Sequence, residues 1–328
     1  MKISFIAEND FANVLTEYAY CLNKHSDDIK AKSICVRPHP FNYNIQHDYD
    51  LHFCPDHQKQ EAKQFLEESD IIVFGEEGHP LESTYRTLRE FSNLLGFDLI
   101  NSGKKLCIWH CGTLYRQNYQ FYNNHPLKSK IYKHFYGMDL YRLSNKEKND
   151  IPLHAYQYIN FDKSLLLENF KAKLKLNTKL IYHIPSNHSI KGTDIINNAM
   201  TNLPSNFHFS TITNIPHPKV IEYKTKSLFY IDQFNKMGMY GVAAIEAILN
   251  SNIVFCTLHN THEAILKLTG ELVLPFIDLE KNPNQINSIV SKIINLPDST
   301  LVEMYEAMIE WMDEYYSPNY VVKYFKNI

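Results

Sequence analysis

IDQFNKMGMYGVAAIEAILN, residues 231–250, reads as strand, loop and helix in sequence. It opens at the end of the apolar run Leu228, Phe229, Tyr230 and Ile231, a strand. A loop punctuated by Gly238 and Gly241 follows, and then Val242, Ile245, Ala247, Ile248 and Leu249 recur at helical spacing. A strand that ends in a flexible loop and feeds a helix offers free backbone N–H groups to a phosphate. Glu246 lies one turn inside that helix among residues that should be buried, and carboxylates are rarely buried without a partner. It is either an edge-of-stripe surface residue or an acceptor for ligand hydroxyls.

A chain of 328 residues is too long for one modest core and predicts two domains. A hydrophobic fraction of 44% with 21% charged residues is that of a globular protein, and a formal charge of -3 argues against a large nucleic-acid surface. The six cysteines are at 21, 35, 54, 107, 111 and 256, several in expected strands, which favours reduced, buried thiols. Cys107 and Cys111 flank His110 without a second cysteine pair, so no metal site is expected. Residues 2–7 form a short strand interrupted by Glu8, Asn9 and Asp10, not a signal peptide, and no apolar run suffices to cross a bilayer. The expected location is cytoplasmic.

Along the chain, strands are expected at 2–7, 31–36, 70–75 and 105–110, with helices at 9–23, 58–68 and 80–95 between them. Residues 37–56 read as a long loop, 139–143 as a strand and 156–175 as the domain connection. A second unit follows, with strands at 179–184, 207–212, 253–257 and 271–275 and helices from 193 and at 219–224. Helices at 283–294, 300–315 and 319–326 close the chain. The repeated strand–helix order predicts an α/β fold of two Rossmann-like doubly wound domains facing across a cleft, 1–160 and 175–315, with residues 316–328 returning to the first.

No GxGxxG follows the first strand and no GxxxxGK[ST] is present, against a dinucleotide-dependent oxidoreductase and a P-loop enzyme. The segment 186–193, SNHSIKGT, follows a strand and precedes a helix: Lys191 suits a phosphate and Gly192 a close approach, unless Thr193 or Ser189 merely caps the helix. His110 ends a strand at the edge where α/β folds bind ligands, with Arg116 close behind. Asp232 and Gln233 end the strand before the glycine loop, where Asp232 either meets ligand or accepts the loop's own N–H groups.

Residues 183–194, HIPSNHSIKGTD, resemble the HxPSNxxxKGT segment of nucleotide-sugar glycosyltransferases of the GT-B fold. Residues 231–248 resemble their DQxxxGxYGxxxxEAM segment, nearest to the "glycosyl transferases group 1" type. WHCGTLYR at 109–116 is similar to the HGSxxR element of the first domain, and residues 308–325 to the closing helices, which in that fold cross back. The resemblance implies that Glu246 binds ribose hydroxyls, Lys191 the diphosphate, and His110 lies near donor sugar and acceptor. It places Gly238, Met239, Tyr240 and Gly241 by the phosphates and transferred sugar, with Ser186, His188, Gly192, Asp232 and Gln233 around the same donor. Two positions depart from the pattern: Gly238 stands where a second glutamate is common, and His188 where an arginine often precedes the KG pair.

The activity implied is a retaining, hexosyltransferase-like transfer from a nucleoside-diphosphate sugar, UDP- or GDP-linked, to a hydroxyl acceptor such as a glycan. The sugar nucleotide is a co-substrate, with no other cofactor and no metal implied, and peripheral membrane contact stays open. Two rivals remain: a transferase acting on a modified nucleic-acid base, and a non-catalytic nucleotide-sugar-binding protein.

Overall fold

In the computed structural model the described residues are 1–37, 44–76, 85–110, 112–235 and 237–328. Part of the expected 37–56 loop, the start of the 80–95 helix, Cys111 and Lys236 lie outside them. The chain divides into two compact units, Met1–Tyr158 with Pro318–Ile328, and Ile159–Ser317.

In unit 1 the strands are β1 (Lys2–Ala7), β2 (Lys30–Cys35), β3 (Tyr49–Asp50), β4 (Ile71–Glu76), β5 (Lys105–His110), β6 (Lys133–Tyr136) and β7 (Asp150–Pro152). They pair in parallel in the order β3-β2-β1-β4-β5-β6-β7, which contains the doubly wound 3-2-1-4-5-6 arrangement. The central strands are near-continuous apolar runs, Ile-Ile-Val-Phe in β4 and Leu-Cys-Ile-Trp in β5, as expected where helices cover both faces. Helices α1 (Val14–His25), α2 (Asp56–Glu68), α3 (Arg86–Leu95) and α4 (Gly112–Asn123) supply the crossovers.

Unit 2 runs α5 (Lys163–Leu174), β8 (Lys179–His183), α6 (His188–Lys191), α7 (Thr193–Ala199), β9 (Phe207–Thr211), α8 (His217–Lys226), β10 (Phe229–Gln233), α9 (Val242–Ile248), β11 (Ile253–Cys256), α10 (His262–Thr269), β12 (Ile277–Asp278), α11 (Ile286–Ile294) and α12 (Asp298–Tyr316). Its parallel sheet has the order β12-β11-β10-β8-β9, the 2-1-3-4-5 arrangement read from the other edge. Here β8 and β10 are neighbours, so the strand order reverses between them. Such a switch point opens a crevice at the carboxyl ends of the strands.

Pro318 starts a new helix, α13 (Pro318–Lys326), which belongs to unit 1. It packs on α1, and Phe325 meets Phe5 at 5.4 Å and Tyr18 at 5.2 Å between ring centres. The long α12 instead stays in unit 2 against α5, where Tyr305 stacks on Phe170 at 4.4 Å. Two Rossmann-like units with the last helix returned to the first are the GT-B fold.

Two expected strands are absent. Residues 139–143 are not a strand: they hold a short 3-10 turn at Tyr141–Leu143, and Asp139 is pinned by Arg116 at 2.6 Å. The strands flanking this turn, β6 and β7, carry buried His134 and Asp150, which mask their apolar character in sequence. Residues 271–275 likewise form no strand, since β12 pairs with β11 two residues later and leaves Leu272 and Val273 exposed. The connection expected at 156–175 spans the boundary between the units, which falls after Tyr158, and also contains α5, whose first turn is capped by Asp162 accepting from the Ser164 and Leu165 amides.

Five cysteines, Cys21, Cys35, Cys54, Cys107 and Cys256, are free thiols, all but Cys54 buried. No helix among the described residues is long and apolar enough to cross a membrane.

Candidate functional site

The carboxyl ends of β8 and β10 gather most of the residues singled out in unit 2. His183 closes β8 with no exposure, its Nδ1 donating to the Ile231 carbonyl (2.8 Å) and its Nε2 accepting from the Thr193 hydroxyl (2.9 Å). A carbonyl can only accept, which fixes this tautomer. Burial pushes the ring's pKa down to about 4, so it is neutral near pH 7. Thr193 therefore ties α7 to the sheet and does not cap the helix, while Asn187 caps α6 by accepting the Ile190 amide at 3.0 Å. Ser186 and His188 are exposed on the same turn.

Gly192 is required by the packing of the chain on itself. Its φ is +69°, and an added Cβ would stand 1.9 Å from the Phe234 carbonyl oxygen. The Phe234 amide also donates to the Lys191 carbonyl at 3.0 Å, so the Lys-Gly pair is laid backbone-to-backbone on the end of β10. That seat fixes the start of the Lys191 side chain. Its Nζ ends 2.6 Å from Asp232 Oδ1, the lysine largely covered and the carboxylate wholly so. The second Asp232 oxygen accepts the Gly241 amide at 3.1 Å. Asp232 thus holds the glycine loop, one of its two sequence readings, and orients Lys191 with the other oxygen.

The loop is built by side chains around its backbone. Gln233 donates from Nε2 to the Met239 carbonyl. Asn235 Oδ1 accepts the Met237 and Gly238 amides (2.9 and 3.3 Å), and Asn260 donates to the Met237 carbonyl at 2.8 Å. Tyr240 is buried against Phe276, ring centres 4.5 Å apart. Gly238 has φ +54° and lies under the His259 ring, which a Cβ would meet at 2.5 Å. A second glutamate at this position has neither the backbone conformation nor the room.

Glu246 is 4% exposed, and each of its carboxylate oxygens has a partner. Oε1 accepts from His217 Nε2 at 2.6 Å, and Oε2 accepts from Lys224 Nζ. Burial pushes its pKa up, but Lys224 first and His217 second outweigh burial and hold the carboxyl at about 2. It is ionised at every pH of interest. Neither partner announces itself: a lysine on α8 reads as surface, and His217 is one of 16 histidines.

In unit 1, His110 ends β5 as expected but is only 2% exposed. Its ring stacks on Tyr136 (4.7 Å) and lies parallel to His134, with 3.3 Å between His110 Nε2 and His134 Nδ1. Burial, and then the neighbouring His134, push its pKa well below the ordinary value. Glu8, after β1, accepts from Arg86 through both oxygens at 2.8 Å. Asp10, Cys35 and His47 bring one ligand atom each within 4.8 Å of one another, but both Asp10 oxygens accept α1 amides, from Leu15 (3.0 Å) and Thr16 (2.8 Å). That places Asp10 as the start of α1.

No protein-family model and no curated protein matches the chain. Solved structures do. The HepE protein of Anabaena in complex with UDP and glucose is similar at a TM-score of 0.61 and 10% identity, over 100% of this chain and 98% of that one. The N-terminal domain of Candida albicans trehalose-6-phosphate phosphatase is similar at 0.57 and 8%, covering 99% and 96%. UDP-GlcNAc 2-epimerase from Neisseria meningitidis, bound to UDP-GlcNAc, is similar at 0.52 and 15%, covering 99% of each chain. At such identities what is shared is the fold, and the full-length coverage extends it to both units: this chain is a GT-B-fold protein.

Proposed function

We propose that the chain is a glycosyltransferase that moves a sugar from a nucleoside diphosphate to a hydroxyl acceptor, with retention at the anomeric carbon. One observation carries the reading. Lys191, the 238–241 loop and an ionised Glu246 are built onto the elements beside the β8/β10 switch point, and they are the residues that the sequence resemblance assigns to diphosphate, transferred sugar and ribose. HepE with UDP and glucose, and the epimerase with UDP-GlcNAc, support a UDP-linked donor.

Departure of the diphosphate concentrates negative charge on its oxygens. Lys191 would answer that charge from a fixed position, with little reorganisation as it develops. Glu246, permanently ionised, would accept the ribose hydroxyl protons. His110 is a neutral ring and would act by hydrogen bonding rather than as a cation. The acceptor is a glycan or another hydroxyl compound, and unit 1 is its place in this reading.

The ion pair of Lys191 with Asp232 and the presence of His188 in place of arginine favour a second reading, a protein that binds the sugar nucleotide without turning it over. A donor panel separates the two. Hydrolysis of UDP-, GDP-, ADP- and TDP-sugars is measured on the wild type, Glu246→Ala and Lys191→Ala, beside calorimetric binding. The transferase reading expects one donor to be hydrolysed, with kcat/KM falling by about tenfold to a hundredfold in each variant. Binding of a donor with no turnover, even when hydroxyl acceptors are added, supports the second reading. A protein that binds no nucleotide refutes both.

A further inference from the structure

Glu246 alone does not make the carboxylate that the proposed function needs. We propose that Lys224 and His217, neither of which the resemblance assigns, are positioning residues that fix Glu246 as an acceptor for the 2′,3′-diol of a ribonucleotide. The inference rests on the functional reading above and adds to it what holds the Glu246 carboxylate in place.

His217 and Lys224 are seven residues apart, close to two helical turns, so they share one face, and α8 packs that face on α9. Lys224 has no exposed surface. Its Nζ donates to the Ala243 carbonyl at 3.0 Å and to Glu246 Oε2, and it lies over the Tyr230 ring at 5.0 Å. Every direction the ammonium can use is taken inside the unit. His217 is the member of the group that reaches the surface, its side chain one-fifth exposed, and it meets the other oxygen, Oε1. A carboxylate offers about four acceptor sites. The two partners take one on each oxygen and leave the others in a fixed plane.

A buried ion pair is a poor device for stability, because the cost of desolvating two ions offsets most of their attraction. Its use is geometric: an ionised carboxylate that is neutralised and cannot rotate. Two adjacent hydroxyls, each donating to one oxygen of the same carboxylate, match that geometry, whereas an isolated hydroxyl uses half of it. A sugar diol is therefore the ligand chemistry that makes use of both oxygens.

The test compares binding of UDP, GDP and ADP with their 2′-deoxy counterparts by calorimetry, in the wild type, His217→Ala, His217→Gln and Lys224→Met. The expected result is a ribo-over-deoxy preference of at least about tenfold in the wild type. His217→Ala and Lys224→Met should lose most of it, and His217→Gln, whose amide can replace the ring donor, should keep it. A merely structural role would lower binding of ribo and deoxy nucleotides alike and leave the ratio unchanged. Should Lys224→Met not fold, the neutral pair Lys224→Met/Glu246→Gln takes its place, with the expected ratio near one. A wild type that binds nucleotides without preferring ribose, or a preference that survives His217→Ala, overturns this inference and leaves the functional reading standing. A wild type that binds no nucleotide removes the functional reading and this inference together.

Discussion

The two units carry parallel sheets of the same class, yet the two strand ends singled out in the sequence, that of β10 in unit 2 and that of β5 in unit 1, treat their polar groups in opposite ways. In unit 2 the edge is charged and braced. Asp232 holds Lys191 with one oxygen and a loop amide with the other, and Glu246 is ionised between Lys224 and His217. In unit 1 the end of β5 is neutral and packed, with His110 among Tyr136, His134 and Tyr115 as if it were an aromatic core residue. A strand edge is thus only a location. What is done there depends on whether buried charge has been given partners, which in unit 2 it has.

The largest expected effect breaks the unit 2 side of this contrast at one atom. Gly192→Ala combines a φ of +69° with a Cβ placed 1.9 Å from the Phe234 carbonyl. Since that oxygen is backbone at the end of β10, no side-chain movement relieves the clash. The cost should be on the order of 4 kcal/mol or more, enough to leave unit 2 unfolded or expelled from β10. Chemical denaturation, read by hydrogen exchange in peptides of each unit, should show unit 2 melting and the unit 1 sheet retained. Full stability in this variant would mean that the Lys-Gly pair is not seated on β10.

Acid acts on the two units through different groups. His110, His134 and His154 of unit 1 are buried, and burial lowers all three pKa values, that of His154 to about 3. In the unfolded chain each titrates near 6.5, so as pH falls below that value the unfolded state takes up protons that the folded one refuses. Stability is then lost as pH falls, for His154, with its folded value of about 3, by roughly 2–3 kcal/mol by pH 4.5. Unit 2 has a counterpart of this kind in His183, and its Glu246 behaves oppositely. With a folded pKa near 2 against 4.5 unfolded, Glu246 contributes fully above pH 4.5 and loses that contribution only as pH falls from there towards 2. Exchange protection should therefore fail first in unit 1 between pH 6.5 and 4.5. Earlier failure in unit 2 would reverse the assignment of neutral and charged edges.

Much of the fold was legible because its signals are periodic: the apolar strands 2–7, 70–75 and 105–110 fall on β1, β4 and β5, and the helical runs near 58–68 and 300–315 on α2 and α12. Where reading failed, a buried polar residue had broken the pattern, as His134 and Asp150 do in β6 and β7, or an apolar run was exposed, as at Leu272 and Val273. In unit 2 the candidate residues near the β8/β10 edge were legible as a group, because glycines and polar residues at strand ends are local signals. Their supports were not. Lys224 becomes a core residue only once α8 packs on α9, and His259 bears on Gly238 only once the chain after β11 turns under the glycine loop. Long-range contacts of this kind have no spacing in sequence.

The smallest effect probes one such support from the residue that sequence would treat as a helix cap. Thr193 follows Gly192, and its hydroxyl lies 2.9 Å from His183 Nε2, with no capping bond to α7. A cap would be replaced well by serine or asparagine, since either can accept an N–H. A donor to a buried ring nitrogen makes a different demand: serine keeps the hydroxyl, valine keeps the shape and loses the donor, and asparagine has the wrong size for a site 1% exposed. Thr193→Val should cost about 1–2 kcal/mol, for the unmet acceptor on a ring already pushed to about 4 by burial, and Thr193→Ser clearly less. With His183→Phe, which removes the acceptor, the cost of Thr193→Val should shrink, giving a coupling of about 1 kcal/mol in a double-mutant cycle. Additive costs, or a Thr193→Asn variant as stable as Thr193→Ser, would return Thr193 to the role of a cap and leave β8 and α7 joined by packing alone.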